Sequence, residues 1–476
     1  GKNTKVVILG AGISGLVAAY EMREAGFDCT VLEARERPGG RNWTIRAGTR
    51  VEFTDGTVQQ CTFESWNYFN AGPARLPSIH KTMLGYCKEL GVPLEIEVNT
   101  SRSTLLQSGN AFGGKPVEMR EAVNDTRGQV SELLAKAIQQ GALDQEITVE
   151  DRERMLLFLR RYGALDPGYV YKGSDRAGVS QFDGAGDVTE RYRDPLPMHA
   201  LLDADLWGGM LFEETLDQQA TMFQPVGGMD HIPYAFAQKL GDVVKYNSPV
   251  KEIRKTSNGV RIVYSEGMGG SAQAIEAAYC ICCMPLTILQ NTPNDFSPRV
   301  AAALASVAYD SAFKIAWESR RFWEQENNIY GGISWLGDGP INLVWYPSAS
   351  MFSDKGVLLS GYSSEGGSEF GELVTIEAKT SASRAAVEKL HPGRGSELAK
   401  PIYISWGKIP YNLGSWVSGY GRGPGYYEGP YRELIVPDDR IYFAGDHCSH
   451  VIGWQEGAAL SAQRAINMIV EHMKQS

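Results

Sequence analysis

Two isolated cations and one short run of glycines carry most of the chemistry that this sequence can do. Arg75 stands in Gly72-Pro73-Ala74-Arg75-Leu76-Pro77. The flanking prolines restrict the backbone and pre-set the direction of the side chain. A guanidinium so aimed can hold a carboxylate through two parallel hydrogen bonds, or serve as half of a structural ion pair. Lys314 stands in Ser311-Ala312-Phe313-Lys314-Ile315-Ala316-Trp317, one ammonium in an alternating apolar strand. A buried Lys requires a compensating role, whereas an edge-strand Lys snorkels to solvent. Other chemistries lack their residues. There is no His-Glu-x-x-His, no Cys or His pair at metal-ligand spacing and no Gly-x-Ser-x-Gly elbow, so no metal site is expected.

The glycines are Gly10, Gly12 and Gly15 in Gly10-Ala11-Gly12-Ile13-Ser14-Gly15. An apolar strand over 5–9 precedes them and a helix over 16–25 follows, capped by Gly26. That is the context a dinucleotide cradle needs. Gly10 permits the tight turn, Gly12 lets a pyrophosphate approach the backbone, and Gly15 allows close helix–strand packing. The helix N-terminus offers free N–H groups and a positive dipole end. Glu33 closes a second strand over 29–33, where its carboxylate can accept both ribose hydroxyls and disfavours a 2′-phosphate. Pro38-Gly39-Gly40-Arg41 can bring a guanidinium against the pyrophosphate. Near the other end, 440–446 reads as a strand with Asp446 at its polar tip, followed by a helix over 457–472. Asp446 at a strand end can accept from a ligand hydroxyl, and Ala458 lies at a helix N-terminus that can face the polar edge of a ligand.

Between these ends the pattern changes. Segments 128–140 and 149–162 have helical spacing within a largely helical stretch. Short strands return from 224 to 287, with a hairpin signal at Asn258-Gly259. Strands rich in Trp and Tyr dominate from 308 to 416, interrupted by a helix over 376–390.

Residues 6–41 resemble the opening of the FAD-dependent amine oxidase superfamily. Gly445-Asp446 with Gly453-Trp454-Gln455-Glu456-Gly457-Ala458 resembles its second flavin motif. Gln224-Pro225-Val226-Gly227-Gly228-Met229 and Leu286-Thr287 match its central pattern. Within the superfamily the chain is most similar to the flavin-dependent L-amino acid oxidases, in order over nearly its whole length. The resemblance implies an α/β fold: a discontinuous Rossmann-type FAD-binding domain (1–57, 221–304, 433–476), a mixed-sheet substrate-binding domain (58–114, 305–432) and a helical insertion (115–220). It implies FAD contacts from Gly10, Gly12, Gly15, Glu33, Arg35, Gly40, Arg41, Ala74, Arg75, Val250, Trp406, Gly445, Asp446, Trp454, Gln455 and Ala458.

The same resemblance assigns roles at the reacting end. Arg75 holds the substrate α-carboxylate and Tyr346 adds a second hydrogen bond, with Trp345 the adjacent alternative on the opposite face. Lys314 bonds a water near flavin N5. Trp406 and Trp416 lie near the flavin and the side-chain pocket, and Gly453 and Trp454 border the substrate, the Gly453 carbonyl accepting from the amine. The implied reaction is oxidative deamination of an L-amino acid by hydride transfer from Cα to N5, with dioxygen as acceptor and a 2-oxo acid, ammonia and hydrogen peroxide as products. An amino-acid 2-monooxygenase, a polyamine or monoamine oxidase and a flavin-bearing binding protein are the alternatives. Monoamine oxidases carry a flavin-linked Cys after a Ser-Gly-Gly run. Leu413-Gly414-Ser415-Trp416 has none, so the FAD is expected to be noncovalent. Gly421-Arg422-Gly423-Pro424-Gly425 lacks the spacing of a second nucleotide site, so the flavin is reduced by substrate and not by NADPH.

The 476 residues carry a net charge of -10 and are 43% hydrophobic, which fits a globular chain of about three domains and argues against nucleic acid as a partner. No apolar run of transmembrane length occurs, so no membrane span is expected. Cys29, Cys280, Cys282 and Cys283 fall in strand-like stretches and read as buried thiols. That makes a cytoplasmic setting the default, although the start at Gly1 leaves room for a removed leader. Asn99-Thr100-Ser101 and Asn124-Asp125-Thr126 fit the glycosylation triplet. A homodimer is expected from the resemblance. The aromatic-rich stretch 403–431 favours an apolar pocket, and Glu365 or Glu369 could instead recruit a basic side chain.

Overall fold

Val6 and Ile8 point to one side of the strand Lys5–Leu9, and Val7 and Leu9 point to the other; both sides are buried. A strand apolar on both faces belongs inside a parallel sheet covered on both sides. In the computed structural model, which describes residues 3–267, 269–418 and 429–475, that strand is the centre of a five-stranded sheet. Its order is Val244–Lys245, Asp28–Leu32, Lys5–Leu9, Tyr279–Cys282, Ile441–Phe443, every pair parallel. The helices Ile13–Glu24 and Gln455–Gln475 cover one face with Leu16, Met22, Ala459 and Ala462. The antiparallel meander Val250–Thr256, Gly259–Ser265, Ala272–Ala277 and the helix Pro298–Ser306 cover the other.

A seven-stranded mixed sheet forms the second body. Its order is Val117–Glu118, Leu105–Gln107, Gly332–Leu336, Leu343–Tyr346, Lys355–Ser364, Ala312–Arg320, Ala399–Ser405, with one parallel pair, between Leu105–Gln107 and Gly332–Leu336. The helix Ile376–Leu390 packs on it, with Ser383 Oγ accepting from Trp317 Nε1 at 2.8 Å. A small sheet of Leu76–Pro77, Met222–Pro225 and Leu94–Glu97 lies just after Arg75 in the chain. Residues 115–220 are mainly helical, with Met119–Gln139 and Val149–Tyr162 the longest helices and Thr148 capping the second through Asp151 N.

The helices expected at 149–162 and 376–390 form over those residues. The one expected at 128–140 begins earlier, at Met119, and the C-terminal helix begins at Gln455. The hairpin near 258 is present, but Thr256 pairs with Gly259, so Ser257 and Asn258 form the turn. Gly259 is needed for packing instead: a Cβ there would lie 2.2 Å from the Ala277 carbonyl oxygen. All seven cysteines are free, and six are buried. Among the described residues no helix is long and apolar enough to cross a membrane, and no group of His, Cys, Asp and Glu could hold a metal.

Candidate active site

A cavity of about 410 Å³ takes its walls from both bodies. One part is built on the glycine turn. Gly10 has φ +98°, and Gly15 packs so tightly that a Cβ would stand 1.9 Å from the Gly10 carbonyl oxygen. Gly12 differs: a Cβ there would meet nothing within 4 Å, and Gly12 lines the cavity. The helix Ile13–Glu24 starts immediately after it with no side-chain cap, leaving its first N–H groups to a ligand. Glu33 accepts from the Ala11 and Arg35 amides at 2.7 and 2.9 Å, which fixes the carboxylate in the wall. Arg35 is anchored on the Pro410 carbonyl and the Asn412 side chain.

A second set of residues stitches distant segments together. Arg41 pairs with Asp446 and donates to the Ser415 carbonyl. Burial pushes the Asp446 carboxyl up, but the Arg41 guanidinium outweighs it and the net direction is down. Asp446 also accepts from the Gly453 amide at 2.9 Å, holding the turn that leads to Trp454. Asn42 donates to Gln455 at 2.6 Å, and the Glu456 carboxylate accepts from the Thr82 and Met83 amides at the start of the helix Lys81–Glu89. Gly40, Val250, Trp406, Trp416, Gly445 and Ala458 line the same cavity. The open face of Gly12, the uncapped helix and the polar groups of Glu33 and Asp446 together fit a dinucleotide laid along this wall.

The remaining wall is cationic and aromatic. Lys314 is 3% exposed, and its Nζ donates to the Asn70 and Gly72 carbonyls at 2.9 and 2.5 Å. It lies 4.9 Å from the Tyr362 ring and 5.8 Å from the Trp345 ring. Desolvation, then the neighbouring Arg75, pull its ammonium down to about 7. Arg75 donates to Asn99 Oδ1 and rests 4.6 Å from the Trp345 ring and 5.5 Å from the Phe212 ring. Among the described residues no carboxylate stands within 4.0 Å of it. A guanidinium in this wall is therefore left with hydrogen-bonding capacity for an anion. Burial lowers its pKa, and Glu97 opposes the shift.

Of the residues expected here, two lie outside the cavity wall. Gly15 serves by packing, as its position predicts. Tyr346 is a correction: it does not reach this cavity. Its hydroxyl is buried between Ser334 Oγ at 2.9 Å and His391 Nε2 at 2.6 Å, because strand alternation turns Tyr346 away and Trp345 toward Arg75. The acidic alternative and the first glycosylation triplet find no support in the geometry. Glu365 is tied to Ser311, Ser405 and Tyr403, Glu369 is exposed on a short helix, and neither lines the cavity. Asn99 is buried and bonded to Arg75 and to the Gln218 carbonyl, so it is no accessible glycosylation acceptor. In the aromatic-rich stretch, residues 419–428 lie outside the described residues, including Gly421-Arg422-Gly423-Pro424-Gly425; Trp406 and Trp416 do line the cavity.

Sequence reasoning missed Tyr362, His80 and Gln218, all in the wall. Tyr362 pairs directly across from Lys314, a register that one sequence does not reveal. His80 follows the Arg75 turn and meets Trp454 edge-on at 4.9 Å. Gln218 comes from the helical insertion, which carries no motif.

A family profile described as flavin containing amine oxidoreductase matches residues 13–469. An L-amino-acid oxidase of Siganus canaliculatus is 28% identical, over 98% of this chain and 85% of that protein. The flavin-dependent L-tryptophan oxidase RebO of Lentzea aerocolonigenes is 25% identical, over 98% of each chain. Among solved structures, cyclohexylamine oxidase from Brevibacterium oxydans superposes with a TM-score of 0.65 at 16% identity, covering 99% of this chain and 100% of its own. Putrescine oxidase bound to putrescine superposes with a TM-score of 0.63 at 18% identity, over 98% of this chain and 99% of its own. At these identities the two structures speak for the fold.

Proposed function

The chain belongs to the family of flavin containing amine oxidoreductases, and from that premise we propose that it is an L-amino acid oxidase with noncovalently held FAD. The family implies the flavin. The dinucleotide form is supported by the Gly12 cradle, Glu33 and Asp446. Noncovalent binding is supported by Ser415 and Trp416 standing where a linking Cys would fall. Among the described residues the cavity wall contains a single cysteine, Cys283, and its backbone abuts Gly10 at the phosphate end. Burial pushes its thiol up, which disfavours a reactive thiolate.

One observation carries the substrate class: the Arg75 guanidinium lines the cavity with no carboxylate in ion-pair range among the described residues. An oxidase of simple amines has no use for such a group, whereas an α-carboxylate can take two of its N–H donors. Trp345 and Phe212 flank the guanidinium and limit its rotation, so the bound carboxylate and the neighbouring Cα are oriented together. Trp345, Tyr362, Trp406 and Trp454 leave an aromatic enclosure for the rest of the molecule, which favours a large apolar side chain.

A bound flavin supplies a hydride acceptor for the Cα–H bond and passes the electrons to dioxygen. Lys314 can hold or move a proton at Nζ in the cavity wall. Two carbonyls fix Nζ, and a neutral amine uses both of its N–H groups on them. Its lone pair is then the group left for the cavity, where it can hold a water or accept a proton. Below about pH 7 the ammonium form removes that lone pair. Product imino acid leaves and is hydrolysed to 2-oxo acid and ammonia.

The test is a panel of L-amino acids, D-amino acids and amines, with peroxide, ammonia and amide products quantified. Equal peroxide and ammonia from L-amino acids supports the proposal. Amide formation would mean monooxygenation, and turnover confined to amines would overturn the substrate class.

A further inference from the structure

Glu97 ends the strand Leu94–Glu97 and is 4% exposed. Its Oε1 accepts from the Trp345 indole Nε1 at 3.2 Å, while Oε2 has no partner. Trp345 is the same ring that carries Arg75 at 4.6 Å. Glu97 therefore sits behind the platform of the anion-binding group, close enough to feel its charge but outside ion-pair range. It lines a separate chamber of about 80 Å³ that shares only Ala74 and Trp345 with the main cavity. That volume is enough for ordered water at the unsatisfied oxygen.

Resting on the reading of Arg75 as the carboxylate site, we propose that Glu97 is a positioning residue for Arg75 and takes up one proton from solvent when a carboxylate docks there. Before docking, the guanidinium is the counter-charge that permits a buried Glu97 carboxylate. A docked anion consumes that counter-charge and adds a second negative charge nearby. The economical response is protonation at Oε2, so that one guanidinium faces one carboxylate and one neutral acid. The proton comes from the buffer and no other bond changes.

Among the described residues, Arg75 is the charge that acts on Glu97. Arg321 lines the chamber but is paired with Glu324 at 2.6 Å, and Glu95 is held by Gln224 at 2.8 Å. The Tyr68 phenol, in the same wall, is pushed up to about 12 by burial and stays neutral. Asp217 acts on Arg75, and Lys314 lies 5.8 Å from the Trp345 ring. Desolvation raises the Glu97 carboxyl to about 7, with Arg75 and the Trp345 bond pulling it back, so the group titrates where binding can be measured.

The experiment is calorimetric titration of the holoenzyme with benzoate in buffers of different protonation enthalpy, from pH 6 to pH 9. Near pH 8, uptake approaching one proton per benzoate is expected. It should fade below pH 7, where Glu97 is already protonated. Affinity should fall by up to about tenfold per pH unit above 7. Added to Lys314→Met, which removes the other group that can take up a proton beside Arg75, Glu97→Gln keeps an acceptor for Trp345 and should abolish both the uptake and the slope, with the flavin spectrum retained. Because Lys314 also titrates near Arg75, the uptake must persist in Lys314→Met. Uptake unchanged in the double variant, or lost in Lys314→Met, overturns the proposal. Should the double variant not fold, Lys314→Met still decides the matter: no uptake there at pH 8 overturns it. Arg75→Ala reports on the underlying reading separately, since undiminished benzoate affinity would remove the carboxylate site itself.

Discussion

At the scale of single residues, the account turns on two cations, Lys314 buried and Arg75 partly buried, whose neighbours set what they can do. Arg75→Ala should lower kcat/KM for L-amino acids by roughly 10- to 100-fold, the ~1.5–3 kcal/mol of a charge-assisted contact, while flavin content is unchanged. Steady-state kinetics with the flavin absorbance as control checks this. Lys314 is held down to about 7 by desolvation and by Arg75, so the reductive half-reaction should gain rate as pH rises through about 7. In Lys314→Met that limb should disappear from stopped-flow traces, and reduction or reoxidation should slow. Both residues were legible in the sequence because each breaks a local rule, a charge between prolines and a charge in an apolar strand. Tyr346 and Trp345 were not separable by the same means. Which of two neighbours in Leu343–Tyr346 faces a cavity depends on how that strand registers against Gly332–Leu336 and Lys355–Ser364, and register is a property of the sheet.

At the scale of elements, the strand–turn–helix around Gly10 was readable because its three glycines answer to different local demands. The structure makes those demands separable. Gly12 has φ −71° and open space where a Cβ would go. Gly12→Val should therefore give a folded, colourless protein, measurable as normal circular dichroism with flavin absent. Gly15→Val would drive its side chain into the Gly10 carbonyl, 1.9 Å from the Cβ position, and should lower the melting temperature of the apoprotein itself. Helices with clean boundaries, such as Val149–Tyr162 with its Thr148 cap, announced themselves. The contribution of the insertion to the site did not. Gln218 reaches the cavity through a short 3-10 turn, where its carbonyl and its side-chain oxygen both accept from Asn99 Nδ2.

For the whole molecule, the five-stranded sheet draws on strands from residues 5–32, 244–282 and 441–443, and the cavity wall includes residues within or just after each of these segments, among them Gly10, Val250 and Gly445. A ligand binding between them ties together parts far apart in sequence. Free FAD at a thousandfold excess over its Kd should add about 4 kcal/mol to stability, so the melting temperature should climb with added FAD and fall on its removal by acid. The order of motifs along the chain made this architecture legible, whereas the shape of the reacting end emerges only where the two bodies meet. The most direct test compares L-phenylalanine with phenethylamine, which differ by the carboxylate alone, in anaerobic flavin bleaching by the wild type and by Arg75→Ala. The account predicts rapid bleaching by the amino acid, little by the amine, and a preference that collapses in the variant. Faster bleaching by the amine, or a preference that survives loss of Arg75, would contradict it.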